Sequence, residues 1–216
     1  MNTKQRVILL LSLTIFAEKT IADQYKCPFS AFNQTIDWKR FSKLKTTWYD
    51  VLNIPMVLEP MDCWDWSDFV PLEGGEFTTK LHQNLESGNG GEYIIDFHMK
   101  PNADGSYTLV EKEGSRSKIA NTTRSALSHI QDEESIEVMV AVTDSFVLWK
   151  WYFMTDYENY LIVGACRSGF HYRSFAKFRE QRPNFVDVVN TWNRFSALGE
   201  SPNVALRRKC IKRKHN

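Results

Sequence analysis

Between Glu92 and Met99 the chain reads EYIIDFHM, and its polarity alternates along almost the whole stretch. In an extended strand Tyr93, Ile95, Phe97 and Met99 share one face, while Glu92, Asp96 and His98 share the other. The pattern recurs. Asp104-Gly105 is a hairpin signal leading into a strand around Tyr107, Leu109 and Glu111. SIEVMVAV and SFVLWKWYFM, separated by Thr143-Asp144, predict a second hairpin, and residues 160–166 and 172–179 predict two strands around RSGF. One late segment departs from this period. Phe185, Val188, Val189, Trp192 and Phe195 are spaced as on a helix, with Pro183-Asn184 suited to its start and Gly199 to its end. The chain is therefore mostly β: successive antiparallel strands, then one amphipathic helix. Closure into a barrel removes strand edges and leaves the helix to cover an outer wall.

The N-terminus predicts its own removal. Lys4 and Arg6 precede an apolar run from Val7 to Phe16, with small residues at Ala17 and Ala22. This is the layout of a secretory signal peptide over residues 1–22, cleaved after Ala22 or, as runner-up, after Ala17. The run is too short to span a membrane. Residues 23–216 then form a single domain with a basic C-terminal tail. Basic and acidic residues nearly balance, 27 against 26, which argues against a nucleic-acid partner. The tail RRKCIKRKHN suits weak contact with anionic lipid or glycans, or simple solvation. Secretion would make the sequons at Asn33 and Asn121 available for glycosylation. It would also oxidise the 4 cysteines, at positions 27, 63, 166 and 210. They include no Cys-x-x-Cys pair, and an even number in an oxidising compartment suggests two disulfides of unspecified pairing.

Four stretches resemble the lipocalin family, and within it the apolipoprotein D, Lazarillo and insect bilin-binding group. YKCPFSAFNQTIDWKRFSKLKTTWYDVLNIP resembles the group's entry into its first strand, with Trp48-Tyr49 and Ile54-Pro55. Cys63 falls where the group has its second cysteine. TDYENYLIVGAC resembles the second family signature, and FAKFREQRPNF with the helix behind it resembles the third. The resemblance implies an eight-stranded antiparallel up-and-down β-barrel with a C-terminal α-helix packed outside. It also implies the disulfides Cys27–Cys166 and Cys63–Cys210. Thr46 stands where the family's first signature has glycine. The family's late arginine, which packs on Trp48, aligns with Gln181, so Arg179 is the expected substitute. Trp48, Thr155, Asp156, Tyr157 and Arg179 are thus expected at the closed end of the barrel.

A barrel of this kind holds one small ligand inside. If Cys166 points outward to reach Cys27, Leu161 and Val163 point inward. Carrying the family register through the Thr155 turn places Lys150 and Tyr152 inward and Trp149, Trp151 and Phe153 outward; a slip of one residue reverses this. Tyr93, Ile95, Phe97, Met99 and Phe175 complete the expected wall. Trp64 and Trp66, read as part of a long loop after the first strand, are expected to line the mouth, to plug it or to join the core. The expected function is that of a secreted carrier for a fatty acid, sterol, retinoid or tetrapyrrole. The alternative is a secreted interaction or inhibitor protein whose cavity is filled by side chains. No cofactor or metal site is expected, and no catalysis. CRSGF is not a Gly-x-Ser-x-Gly elbow, the 5 histidines form no HExxH-like cluster, and the implied disulfides leave no free thiol.

Overall fold

The computed structural model describes residues 27–32, 35–54, 61–85, 92–110, 120–121, 123–125, 133–144, 149–166, 172–199 and 205–206. The strands are β1 (Tyr49–Ile54), β2 (Met61–Pro71), β3 (Phe77–Leu85), β4 (Glu92–Pro101), β5 (Tyr107–Leu109), β6 (Lys150–Thr155), β7 (Tyr160–Cys166), β8 (Tyr172–Phe178) and β9 (Ala205–Leu206). The helices are α1 (Trp38–Ser42), α2 (Glu133–Asp144) and α3 (Phe185–Ala197). All strands belong to one sheet, in the order β2-β3-β4-β5-β6-β7-β8-β1-β9. From β2 to β8 each strand lies antiparallel to its chain neighbour, and the eighth returns to pair with the first.

The two ends of this eight-stranded sheet meet at one point rather than along a ladder. Trp48 and Trp66 exchange backbone hydrogen bonds of 2.7 and 3.0 Å in an isolated antiparallel bridge. Next to it, the Asp65 carboxylate accepts from the Asp50 backbone N–H at 2.9 Å and so satisfies a donor that a neighbouring strand would otherwise take. Asp65 is accordingly buried. β9 pairs with β1 at Leu52 and Asn53.

Two apolar clusters lie on opposite faces of the sheet. The inner one gathers Trp66, Phe77, Leu81, Ile95, Phe97, Met99, Trp151, Phe153, Leu161 and Val163 from strands all around it. The outer one sits beneath α3 and joins Val51, Tyr152, Ile162, Ala176, Phe178 and Phe195 to Phe29 and Phe32 of the N-terminal segment. Helix α3 follows its sequence signals closely. Asn184 caps it by accepting from Asp187 N at 2.9 Å, and Gly199 takes the left-handed φ of 77° that ends it. Phe185, expected on the apolar face, is instead 79% exposed in the helix's first turn.

Two expectations about elements are overturned. SIEVMVAV lies in helix α2, and β6 pairs with β5 through Tyr107 and Trp151. The segment is apolar at 136, 138, 139, 140, 141 and 142, which satisfies a helical period as well as an extended one. Ile136 and Val140, four apart, turn inward, while Glu137 on the exposed side pairs with Arg124 at 3.0 Å. CWDWSDF, expected as loop, is part of the long strand β2. Its alternation of aromatic and polar residues is the two-residue period itself, interrupted near Asp68, which has φ 52° and marks a shift in the pairing with β3.

Candidate ligand-binding interior

The inner face is assembled by cross-strand partners, which project to the same side of an antiparallel pair. Trp66 lies opposite Leu81, and Leu81 opposite Ile95. Phe97 faces Thr79, Met99 faces Phe77 and Leu109, and Val163 faces Phe153 and Phe175. Ile95, Phe97, Met99, Leu161, Val163 and Phe175, expected on the wall, are buried in this inner cluster, and so is Trp66, expected in a loop. Tyr93 and Trp64 hold positions on β4 and β2, but their side chains lie outside the described residues.

The register expected for β6 is reversed. Cys166 points outward to its disulfide with Cys27, so Ala165 points inward, and Trp151 lies directly opposite Ala165. Trp149, Trp151 and Phe153 therefore face the interior, and Lys150 and Tyr152 face out. Lys150 keeps its ammonium in solvent and bonds Asp104 in the β4–β5 turn at 2.6 Å. Tyr152 packs in the outer cluster, where burial pushes its hydroxyl pKa upward. The family register carried across the turn was one residue out, and on a two-period strand that exchanges the two faces.

One end of the sheet carries the described β2–β3, β4–β5 and β6–β7 connections, and α1 closes it. Trp38 of α1 inserts between the walls: its ring stacks on Phe77 at 3.7 Å and meets Phe153 and Tyr107 edge-on at 5.3 and 5.7 Å. Its Nε1 donates to the Tyr107 hydroxyl at 3.0 Å. Burial raises the pKa of Tyr107, and the bond from Trp38 offsets part of that rise. Phe41, one helical turn on, stacks against Trp48 at 5.0 Å. The Thr155-Asp156-Tyr157 turn holds this plug from beneath. Asp156 accepts from the N–H groups of Glu158, Asn159 and Tyr160, and Thr155 Oγ1 bridges Tyr157 N and Tyr160 O. Tyr157, at φ 64°, presents its hydroxyl to Asp37 N at 2.8 Å and its ring to Arg40 at 4.3 Å.

Arg179 does not occupy the place expected for it on Trp48. It is exposed and donates to the Glu158 carbonyl at 3.3 Å, while Trp48 is covered by Phe41. A buried cation does enter the interior nearby, at Lys177. Its ammonium lies 3.7 Å from Asp50 and 4.9 Å from the Phe175 ring centroid, and both charged side chains are fully buried. Lys177 lies opposite Leu161 on β7 and Asp50 on β1. Sequence reasoning missed it, although it shares strand parity with Phe175. Trp38 was missed as well, because nothing local distinguishes a plug from an ordinary helix residue.

Above the plug the rings of opposite walls touch. Trp66 on β2 meets Trp151 and Phe153 on β6 at 5.9 and 6.0 Å, and Phe97 on β4 at 5.5 Å. These rings make an aromatic floor across the interior. Trp149 stacks on Trp151 on the far side from the turn, next to Leu109. The connections at that other end, 55–60, 86–91, 111–119 and 167–171, lie outside the described residues. So do Cys210, Asn33 and the side chain of Cys63. Asn121 is exposed, with Thr123 of its sequon buried. Among the described residues no group of His, Cys, Asp and Glu is placed to hold a metal ion.

A cockroach major allergen, Per a 4, resembles this structure over 79% of the chain and 87% of its own, with a TM-score of 0.50 and 11% identity. Lobster apocrustacyanin A1 matches over 81% of both chains with a TM-score of 0.49 and 15% identity. The siderocalin Ex-FABP matches over 76% of this chain and 89% of its own, with a TM-score of 0.48 and 12% identity. At such identities the likeness is one of fold. No protein-family model matches the sequence, and neither does any curated protein. Eight antiparallel strands in up-and-down order with a helix outside give the chain the lipocalin fold.

Proposed function

We propose that the protein is a secreted carrier that encloses one small hydrophobic molecule between the aromatic floor and the end of the sheet away from α1. The observation that carries this reading is the inner face itself. It is apolar and aromatic from strand to strand, and closed at one end by Trp38 and Phe41. Such a wall acts by burial, removing ligand surface from water at about 25 cal/mol per Å². The floor shortens the space available, which favours a compact or partly inserted ligand over a long one threading the barrel. The Cys27–Cys166 disulfide supports an oxidising destination and hence the leader over residues 1–22. A kinship with apolipoprotein D and the bilin-binding proteins rests on the sequence motifs. The test is native mass spectrometry of the protein secreted from its own cells, followed by titration of tryptophan emission with lipids after delipidation. Co-purifying lipid and saturable quenching are expected. Neither appearing with any ligand class would sink the reading.

The contacts between opposite walls favour a second reading, in which side chains fill the interior and the outer surface does the work. A stable protein partner recovered from the extracellular medium, with no ligand binding in the titration, would select it.

A further inference from the structure

Trp66 meets both Phe97 and Trp151 on the aromatic floor, and it is fully buried. Its Nε1 has no hydrogen-bond partner in the protein. Trp38 shows the usual solution in the same interior, giving its N–H to a tyrosine hydroxyl brought in for it. Buried indole N–H groups almost always find an acceptor, and an unmet one asks for an explanation. Here the donor lies sealed among apolar rings of the inner face, so a ligand meets it only by parting those rings.

We propose that Trp66 Nε1 is the polar anchor of the bound molecule, donating to a neutral carbonyl oxygen on an otherwise apolar ligand: a ketone, aldehyde or ester. The inference rests on the carrier reading and narrows it. A neutral donor in an apolar setting favours a neutral acceptor, because a carboxylate buried there would lose hydration without gaining a counter-charge. The inner cation, Lys177, is already engaged with Asp50. A pure hydrocarbon would leave the donor unmet, and a protonated amine would oppose one donor with another.

The experiment compares 2-undecanone, undecane and undecanoic acid, binding to the full mature protein and to two variants. One is Trp66→Phe. The other replaces the Trp66 indole by benzothiophene, which keeps its shape and removes only the N–H. Relative to undecane, the ketone should bind the wild type about tenfold more tightly than it binds either variant, the worth of one good buried hydrogen bond. Alkane affinity should be nearly unchanged in both variants. In 15N-indole spectra the cross-peak absent from Trp66→Phe should move downfield with ketone and stay in place with alkane. Equal ketone preference in wild type and benzothiophene variant, or an unmoved cross-peak at saturation, overturns the anchor and leaves the carrier standing. Tighter binding of the acid than of the ketone overturns the neutral-carbonyl assignment. If none of the three probes binds, the anchor falls as stated, and the lipid titration decides the carrier reading separately.

Discussion

Gly164 lies in the middle of β7, where Phe29 packs flat against it from the N-terminal segment. A Cβ at this position would fall 2.2 Å from Phe29 Cγ. Phe29 has no exposed surface and lies two residues from Cys27, so the ring has little room to retreat. Gly164→Ala should cost about 1–3 kcal/mol by overpacking, read as a lower urea midpoint with unchanged m. An unchanged midpoint would show that the N-terminal segment is not held against β7 in solution. The pair Lys177 and Asp50 tests the interior in a different way. Neutralising either alone strands a buried charge and should cost about 3–5 kcal/mol, whereas Lys177→Met combined with Asp50→Leu should recover most of the loss. A double-mutant cycle measures this, and additive losses would show that the two charges do not interact. The inward direction of Lys177 was legible from its parity with Phe175. Its partner was not, because Asp50 lies more than a hundred residues away and meets it only through the β1–β8 ladder.

At the scale of elements, the β4–β5 turn joins two sequence signals read separately. Asp104, chosen as a turn residue, accepts from Ser106 N at 3.1 Å and also from Lys150 at 2.6 Å. Lys150, with help from Ser106, holds the Asp104 pKa down at about 2 from an ordinary 3.8. A depressed carboxylate contributes stability that is fully present above the unfolded pKa and lost as pH falls through the folded one. The window is therefore about pH 4 down to 2. Both side chains are about half exposed, at 54% and 45%, so solvent screening limits the effect to under about 1 kcal/mol. Asp104→Asn should make the acid limb of the stability curve shallower in that window, and 0.5 M salt should reproduce part of the change in wild type. An identical acid limb in the variant would remove the ion pair from the account. Elements with one unambiguous period were readable from sequence: β7 occupies 160–166, and α3 lies between its expected cap and glycine. SIEVMVAV was not, since a nearly continuous apolar run fits either period and tertiary partners decide. CWDWSDF was hidden by the family's long loop, which outweighed a local alternation pointing to strand.

For the whole molecule, the class of fold was legible because strand signals, one helix and a family-like order of motifs agree with one another. How the interior is occupied was not. That depends on which of two faces each strand turns inward, and on the plug at Trp38, which reaches its partners only after the sheet has curved around it. The Cys27–Cys166 disulfide binds these levels together. It fastens the segment before α1 to the outside of β7, while α1 enters the closed end. It joins positions 139 residues apart, and for a loop of that length the chain-entropy model gives about 5 kcal/mol, chiefly by restricting the unfolded chain. Replacing both cysteines by alanine should lower stability by about 3–5 kcal/mol and raise m, because the unfolded state expands. Ligand affinity per folded molecule should change little, since neither sulfur faces the interior. A variant that keeps its stability but loses ligand binding would reverse this assignment, making the bridge a device that positions the plug beneath the ligand rather than a restraint on the unfolded chain.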